Sequence, residues 1–232
     1  MILSELISRS PIRIFEQSIH GGLKAGEIGI IASPKGVGKT SVLVQLAMDK
    51  LLQGKKVIHV SFTQHNQYVP LWYEDIFAEF TSRKNLENAG DVKNDIVKNR
   101  VLMCFNQDGV TKEQILRSLR AMITEGCFRA DSVIIDGFDF SRIDKEGIAQ
   151  VKSFAAELDL SIWYSCSVKN SKTAIPSELG GFIDIIDIVI TLQPKPDHVE
   201  LSVSKDRDAV VSKSMAMKLD PKTLLILENR ED

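Results

Sequence analysis

The stretch Ser33-Pro34-Lys35-Gly36-Val37-Gly38-Lys39-Thr40 combines two glycines with a lysine and a hydroxyl at a spacing that binds phosphate. Gly36 and Gly38 let the backbone curl, so that successive N–H groups and a helix N-terminus face an oxyanion. Lys39 is then placed to reach the β and γ phosphates of a nucleotide. Thr40, with Ser41 beside it, offers a hydroxyl to Mg²⁺. The stretch fits G-x-x-x-x-G-K-[ST] except at its first position, where Ser33 replaces glycine. A bland reading, a glycine-rich turn carrying a surface lysine, fits the flanking residues poorly. An apolar run, Ile28 to Ala32, precedes the loop, and Val42, Leu43, Leu46, Ala47 and Leu51 follow it at helical spacing.

A second acidic signature lies about a hundred residues downstream. Val133-Ile134-Ile135-Asp136 sets a carboxylate at the end of a buried strand, where it would polarise a magnesium-bound water. Strands often end in Asp for turn reasons, so this signal draws its weight from its pairing with the phosphate loop.

The elements that must position these groups alternate along the chain. Strands are expected over Ile28 to Ala32, Lys56 to Phe62, Val101 to Phe105, Ser132 to Asp136, Leu160 to Ser165 and Ile185 to Leu192. Helices are expected over Lys39 to Gln53, within a polar insertion at 64–100, after the capping pair Thr111 and Gln114, and from Asp144. Period-two alternation at Val199, Leu201 and Val203, and again at Met215, Met217 and Leu219, predicts antiparallel strands over 197–232. The expected fold is a single α/β domain spanning 1–232, a mostly parallel sheet flanked by helices with an antiparallel C-terminal extension. Residues 1–18 form an arm that packs either on its own core or on a neighbour.

Composition narrows the function classes. The 232 residues carry 29 Lys+Arg against 31 Asp+Glu, so no basic excess marks a dedicated nucleic-acid binder. No apolar run reaches the ~18 residues of a membrane span, and no export signal is expected at the N-terminus. Cys104, Cys127 and Cys166 lie far apart, a pattern that fits reduced thiols in the cytoplasm.

With these residues in view, the chain resembles the RecA-like P-loop ATPases, in particular the KaiC, RadA and DnaB branch. Gly21-Gly22-Leu23-Lys24-Ala25-Gly26-Glu27 looks like that group's lead-in to the phosphate-loop strand. The Val57 to Phe62 strand, the Asp136 strand and Asp187 to Leu192 follow in the family's order, and Lys205-Asp206-Arg207 stands where the branch has a K-x-R motif. The resemblance implies ATP and Mg²⁺ as ligands and a homo-oligomeric ring, hexameric in related proteins. It also makes Arg207 an arginine finger, with Lys205 as its companion, reaching a neighbour's nucleotide. Slow hydrolysis at subunit interfaces, coupled to assembly or to a protein partner, is the implied function. The alternatives are a regulatory module that binds nucleotide without hydrolysing it and a DNA recombinase or helicase.

One departure bears on hydrolysis. The family keeps a water-activating glutamate just after the second strand, where this chain reads Thr63-Gln64-His65. Gln64 can orient a water but cannot accept a proton at neutral pH, which leaves His65 and Asp139 as candidate bases. Ser165 is read either as a sensor of the γ-phosphate or as a satisfied strand-end hydroxyl, and Cys166 as a buried structural thiol. Lys169 and Lys172 occupy the family's DNA-facing stretch, where a solvated loop is the favoured reading. Among the aromatic residues Tyr68, Trp72, Tyr73, Phe77 and Phe80, most belong to the core, and any left exposed would mark a protein-docking patch.

Overall fold

In the computed structural model, which describes residues 3–8, 10–62, 68–84, 88–169 and 175–228, the expected apolar runs are strands. Strands β1 (Ile28–Ser33), β2 (Val57–Ser61), β3 (Arg100–Cys104), β4 (Ser132–Asp136), β5 (Ser161–Ser167) and β6 (Ile188–Pro194) run parallel. Strands β7 (Val199–Asp206), β8 (Ala209–Leu219) and β9 (Ile226–Glu228) extend the sheet antiparallel. The order is β3-β2-β4-β5-β1-β6-β7-β8-β9. Every residue of β1, β2 and β4 is buried, as parallel strands covered on both faces require.

Helices cover both faces. On one lie α1 (Leu3–Ser8), α2 (Pro11–Ser18), α3 (Lys39–Leu52), α4 (Tyr68–Lys84) and α5 (Ala89–Lys98), packed against Ile31, Ile134 and Trp163. On the other lie α6 (Lys112–Arg120) and α7 (Lys145–Glu157), packed against Ile30, Val133 and Ile162. Thr111 and Gln114 form the expected capping box, and α6 ends in a wide π turn, Ala121–Glu125, before Gly126. Asp144 caps α7 by accepting from the Gly147 N–H at 2.8 Å.

Two regions sharpen or correct the sequence reading. Strand β6 starts at Ile188 rather than Ile185, because residues 180–185 are still in a turn, where the Ile185 N–H donates to Phe182 O at 3.0 Å; Asp187 then meets β1, its N–H donating to Ile28 O at 2.9 Å and its carboxylate accepting from Ile28 N at 2.8 Å. The N-terminal arm packs on its own core as two short helices. Phe15 meets Trp163 edge-on at 6.0 Å, Arg13 pairs with the buried Asp49 of α3, and Glu16 accepts from Lys50 at 3.0 Å.

Candidate functional site

The phosphate loop leaves the C-terminal end of β1 and enters α3. Ser33 is the last residue of β1 and fully buried, and its hydroxyl donates to Pro34 O at 3.0 Å. The chain is still extended there, so a side chain fits where the general pattern has glycine. The left-handed turns come later, at Gly36 (φ +79°) and Gly38 (φ +110°). Gly38 is also a close approach, because a Cβ there would lie 2.3 Å from Leu219 Cδ2 at the end of β8. Lys35 is exposed, and Pro34 and Val37 are half-buried along the loop.

Lys39 is only 9% exposed. Its ammonium donates to Ser33 O at 3.0 Å and Pro34 O at 2.9 Å, so the cation lies folded against its own loop. Burial lowers its pKa, opposed by the nearby Asp136 carboxylate. Thr40 Oγ1 donates to Asp136 Oδ2 at 2.8 Å, and Ser165 Oγ donates to Asp136 Oδ1 at 2.6 Å. The Gly137 N–H in turn donates to Ser165 Oγ at 2.8 Å. The C-terminal ends of β1, β4 and β5 thus bring Lys39, Thr40, Asp136 and Ser165 together, with Ser165 orienting the carboxylate.

This oxygen set fits Mg²⁺: a hydroxyl and a carboxylate one hydrogen bond apart are hard donors suited to a cation that keeps several waters. Thr40 would hold the ion and Asp136 would reach it through water, and such an ion neutralises charge on phosphate oxygens. Among the described residues no His, Cys, Asp and Glu cluster offers a separate metal centre.

The other sequence-derived residues lie as follows. Gln64, His65 and Lys172 fall outside the described residues. Asp139 caps the short turn Phe140–Arg142, and hydrogen bonds from Ser141 hold its carboxyl below the usual range, which weakens it as a base. The backbone N–H of Lys169 donates to Glu178 at 2.9 Å. Cys166 is buried, and burial pushes its thiol up to about 12, as an inert structural cysteine requires.

Lys205 and Arg207 are not brought to the phosphate loop of their own chain. They lie at the far end of β7, beside the start of β6. The Lys205 ammonium donates to Ile186 O. Arg207 spends all its N–H donors within the chain. Nε and Nη2 grip Glu27 at 2.9 and 3.0 Å, Nη1 donates to Ile19 O and Asp206, and Nη2 also donates to Gly22 O.

Sequence reasoning missed two contacts around the loop and one cleft beside it. Gln45, 1% exposed on α3, holds the turn between β8 and β9. A lone amide within Val42 to Met48 was the available signal. Gln107 donates to Gly137 O at 3.0 Å and accepts from Asp139 N at 2.7 Å, bracing the loop that follows Asp136. Finally, a cleft of about 800 Å³ runs between α4 and the β8–β9 turn, lined by Tyr68, Leu71, Trp72, Asp75, Lys222 and Leu224. Tyr68 and Leu71 are the exposed part of the aromatic and apolar cluster of α4, while Tyr73, Phe77 and Phe80 are buried.

Comparison with known families adds one match: a family model described as an AAA domain covers residues 4–161, which include the phosphate loop and Asp136. No curated protein matches the chain.

Proposed function

The chain belongs to the AAA domain family of nucleotide-binding P-loop ATPases, and from that premise we propose that it binds Mg-ATP on Ser33 to Ser41 and hydrolyses it slowly. The observation that carries this reading is the convergence of Thr40 and Ser165 on the Asp136 carboxylate, at 2.8 and 2.6 Å, beside the buried Lys39. Loop N–H groups and Lys39 take the phosphates, Thr40 and Asp136 hold Mg²⁺, and the cleft bearing Tyr68 and Trp72 takes the nucleoside. Support for that cleft is its wall residue Leu224, whose carbonyl accepts from Ser41 and Gln45 of α3.

The finer assignment is to the RecA-like, KaiC-type branch: a cytoplasmic homo-oligomeric ring, hexameric in the reading from resemblance, in which nucleotide state controls assembly or a protein partner. Free thiols at Cys104, Cys127 and Cys166 support a reducing compartment. Lys205 and Arg207 act on a neighbour's nucleotide once assembly loosens their own-chain bonds, and Gln64 orients the attacking water. The engagement of every Arg207 N–H within its own chain favours a second reading, in which ATP is bound as a regulatory ligand and never turned over.

Phosphate release from Mg-ATP at several protein concentrations, beside Lys39→Ala, separates the two. Turnover that rises with concentration and vanishes in the variant supports the assembly-dependent ATPase. ATP binding without phosphate release leaves the regulatory ligand. Unchanged ATP affinity in Lys39→Ala would overturn both.

A further inference from the structure

The β8–β9 turn is bonded to the phosphate-loop helix through one buried amide. Gln45 Nε2 donates to Leu224 O at 2.9 Å, while Gln45 Oε1 accepts from the Ile226 N–H at 2.8 Å. The same nitrogen lies 3.2 Å from both Ser41 O and Ser41 Oγ, and the Ser41 hydroxyl also donates to Leu224 O. Leu224 sits in the left-handed region at φ +57°, which turns its carbonyl back onto α3. The Asp220 side chain caps the turn by accepting from Lys222 N at 2.8 Å and from Thr223 Oγ1 at 3.0 Å. Upstream of the turn, Leu219 presses on Gly38 within the loop itself.

One face of the segment from Leu219 to Ile226 therefore lies against the phosphate loop, through Leu219, and against the first two turns of α3, through Leu224 and Ile226. The other, through Lys222, Thr223 and Leu224, walls the cleft opposite Tyr68, Leu71 and Trp72. A fully buried amide that satisfies a donor and an acceptor of the same turn leaves that turn little freedom to move apart from the helix.

We infer that Gln45 is a positioning residue that makes the phosphate loop and the cleft wall one body, so that phosphate bound at the loop sets the shape of the nucleoside cleft. The inference rests on the nucleotide reading above and adds a linkage between the two halves of that site. Phosphate contacts reorganise the N-terminal turn of α3. Ser41 and Gln45 carry the shift to Leu224, and the wall closes on a base stacked at Trp72. Affinity for the nucleoside half is then built partly by the triphosphate half, a coupling between subsites.

Two measurements test it. In the wild-type protein, hydrogen exchange is followed with inorganic tripolyphosphate, which has no base to fill the cleft. Slowed exchange over 219–226, together with the loop, is expected. Protection of the loop without the turn would overturn the coupling alone, whereas no protection of the loop would overturn the nucleotide reading and this inference with it.

The second measurement compares Gln45→Leu with wild type for ATP and tripolyphosphate affinity. The ratio of the two affinities should fall by about tenfold in the variant, the factor expected for losing one coupled interaction. A parallel drop for both ligands, or none for either, would mean that Gln45 serves packing only. Should Gln45→Leu fail to fold, Gln45→Glu keeps the acceptor for Ile226 N and removes the donors to Leu224, and is held to the same ratio.

Discussion

Thr40 and Asp136 stand 96 residues apart in the chain, yet their side chains meet in a 2.8 Å hydrogen bond at the C-terminal edge of the sheet. The pairing follows from strand order. Strand β4 is separated from β1 by β5 alone, and Ser165 of β5 fills the gap by donating to the second carboxylate oxygen at 2.6 Å. A carboxylate held on both oxygens by neighbouring hydroxyls keeps its direction.

Asp136→Asn preserves the shape of this arrangement and removes its charge. The expected result is a loss of Mg²⁺ dependence: the gain in ATP affinity on adding Mg²⁺ should shrink by about tenfold or more, the scale of a charge-assisted contact. Calorimetric titrations with Mg²⁺ and with chelator measure it. An unchanged gain would move the metal away from Asp136.

Gly38→Ala meets two obstacles, the left-handed backbone and the Leu219 methyl. Backbone strain of this kind costs of order 1–3 kcal/mol. Urea denaturation should show that loss in the parent and a smaller one in a Leu219→Ala background, where the contact is relieved. Equal losses in both backgrounds would leave the contact without energetic weight.

Arg207→Ala should destabilise the ligand-free protein by about 2–3 kcal/mol, because it strips partners from Glu27, Asp206 and two backbone carbonyls. Arg207→Lys should recover part of the loss. A change within about 0.5 kcal/mol, typical of a surface position, would show that the guanidinium is free to serve a neighbour.

His59 gives the protein an acid-sensitive core. Burial lowers its pKa to about 4, with Asp136 opposing the shift and Arg100 adding to it. Its Nδ1 is hydrogen-bonded to Tyr73 OH at 2.9 Å, and Arg100 stacks on the Tyr73 ring at 4.1 Å. The imidazole is neutral when folded and takes up a proton when unfolded below pH 6.5, so its contribution is full above 6.5 and declines as pH falls towards 4. Between pH 6.5 and 5 the loss amounts to about 1.5 kcal/mol. Urea denaturation across that range should show this slope in the wild type and not in His59→Leu. The same slope in both would assign the acid response to other groups.

The central strands and α3 were legible because their signals are local. Ile28 to Ala32 and Val133 to Asp136 are apolar runs with clear ends, and Thr111 and Gln114 carry their own cap. The arm was not legible. Helices α1 and α2 span only 6 and 8 residues, too short to hold by propensity; α2 depends on Trp163 and Asp49 elsewhere in the chain, and α1 buries Leu6 in the same core. The site divides in the same way. Lys39 and Thr40 are fixed by spacing, whereas Ser165 on Asp136, Gln45 on Leu224 and Arg207 on Glu27 are made by tertiary contacts that no short motif encodes.

The position of β1 within the sheet also sets an order of events during synthesis. Ile30 lies between Tyr164 and Val189, so the strand that carries the phosphate loop has no neighbours until most of the chain has been made. A nascent chain displays its glycine loop early, behind an apolar strand without partners, and acquires a working pocket only when β5 and β6 leave the ribosome. A fragment ending before Ile188 would keep every motif residue through Asp136 and still lack one side of the strand that aims them.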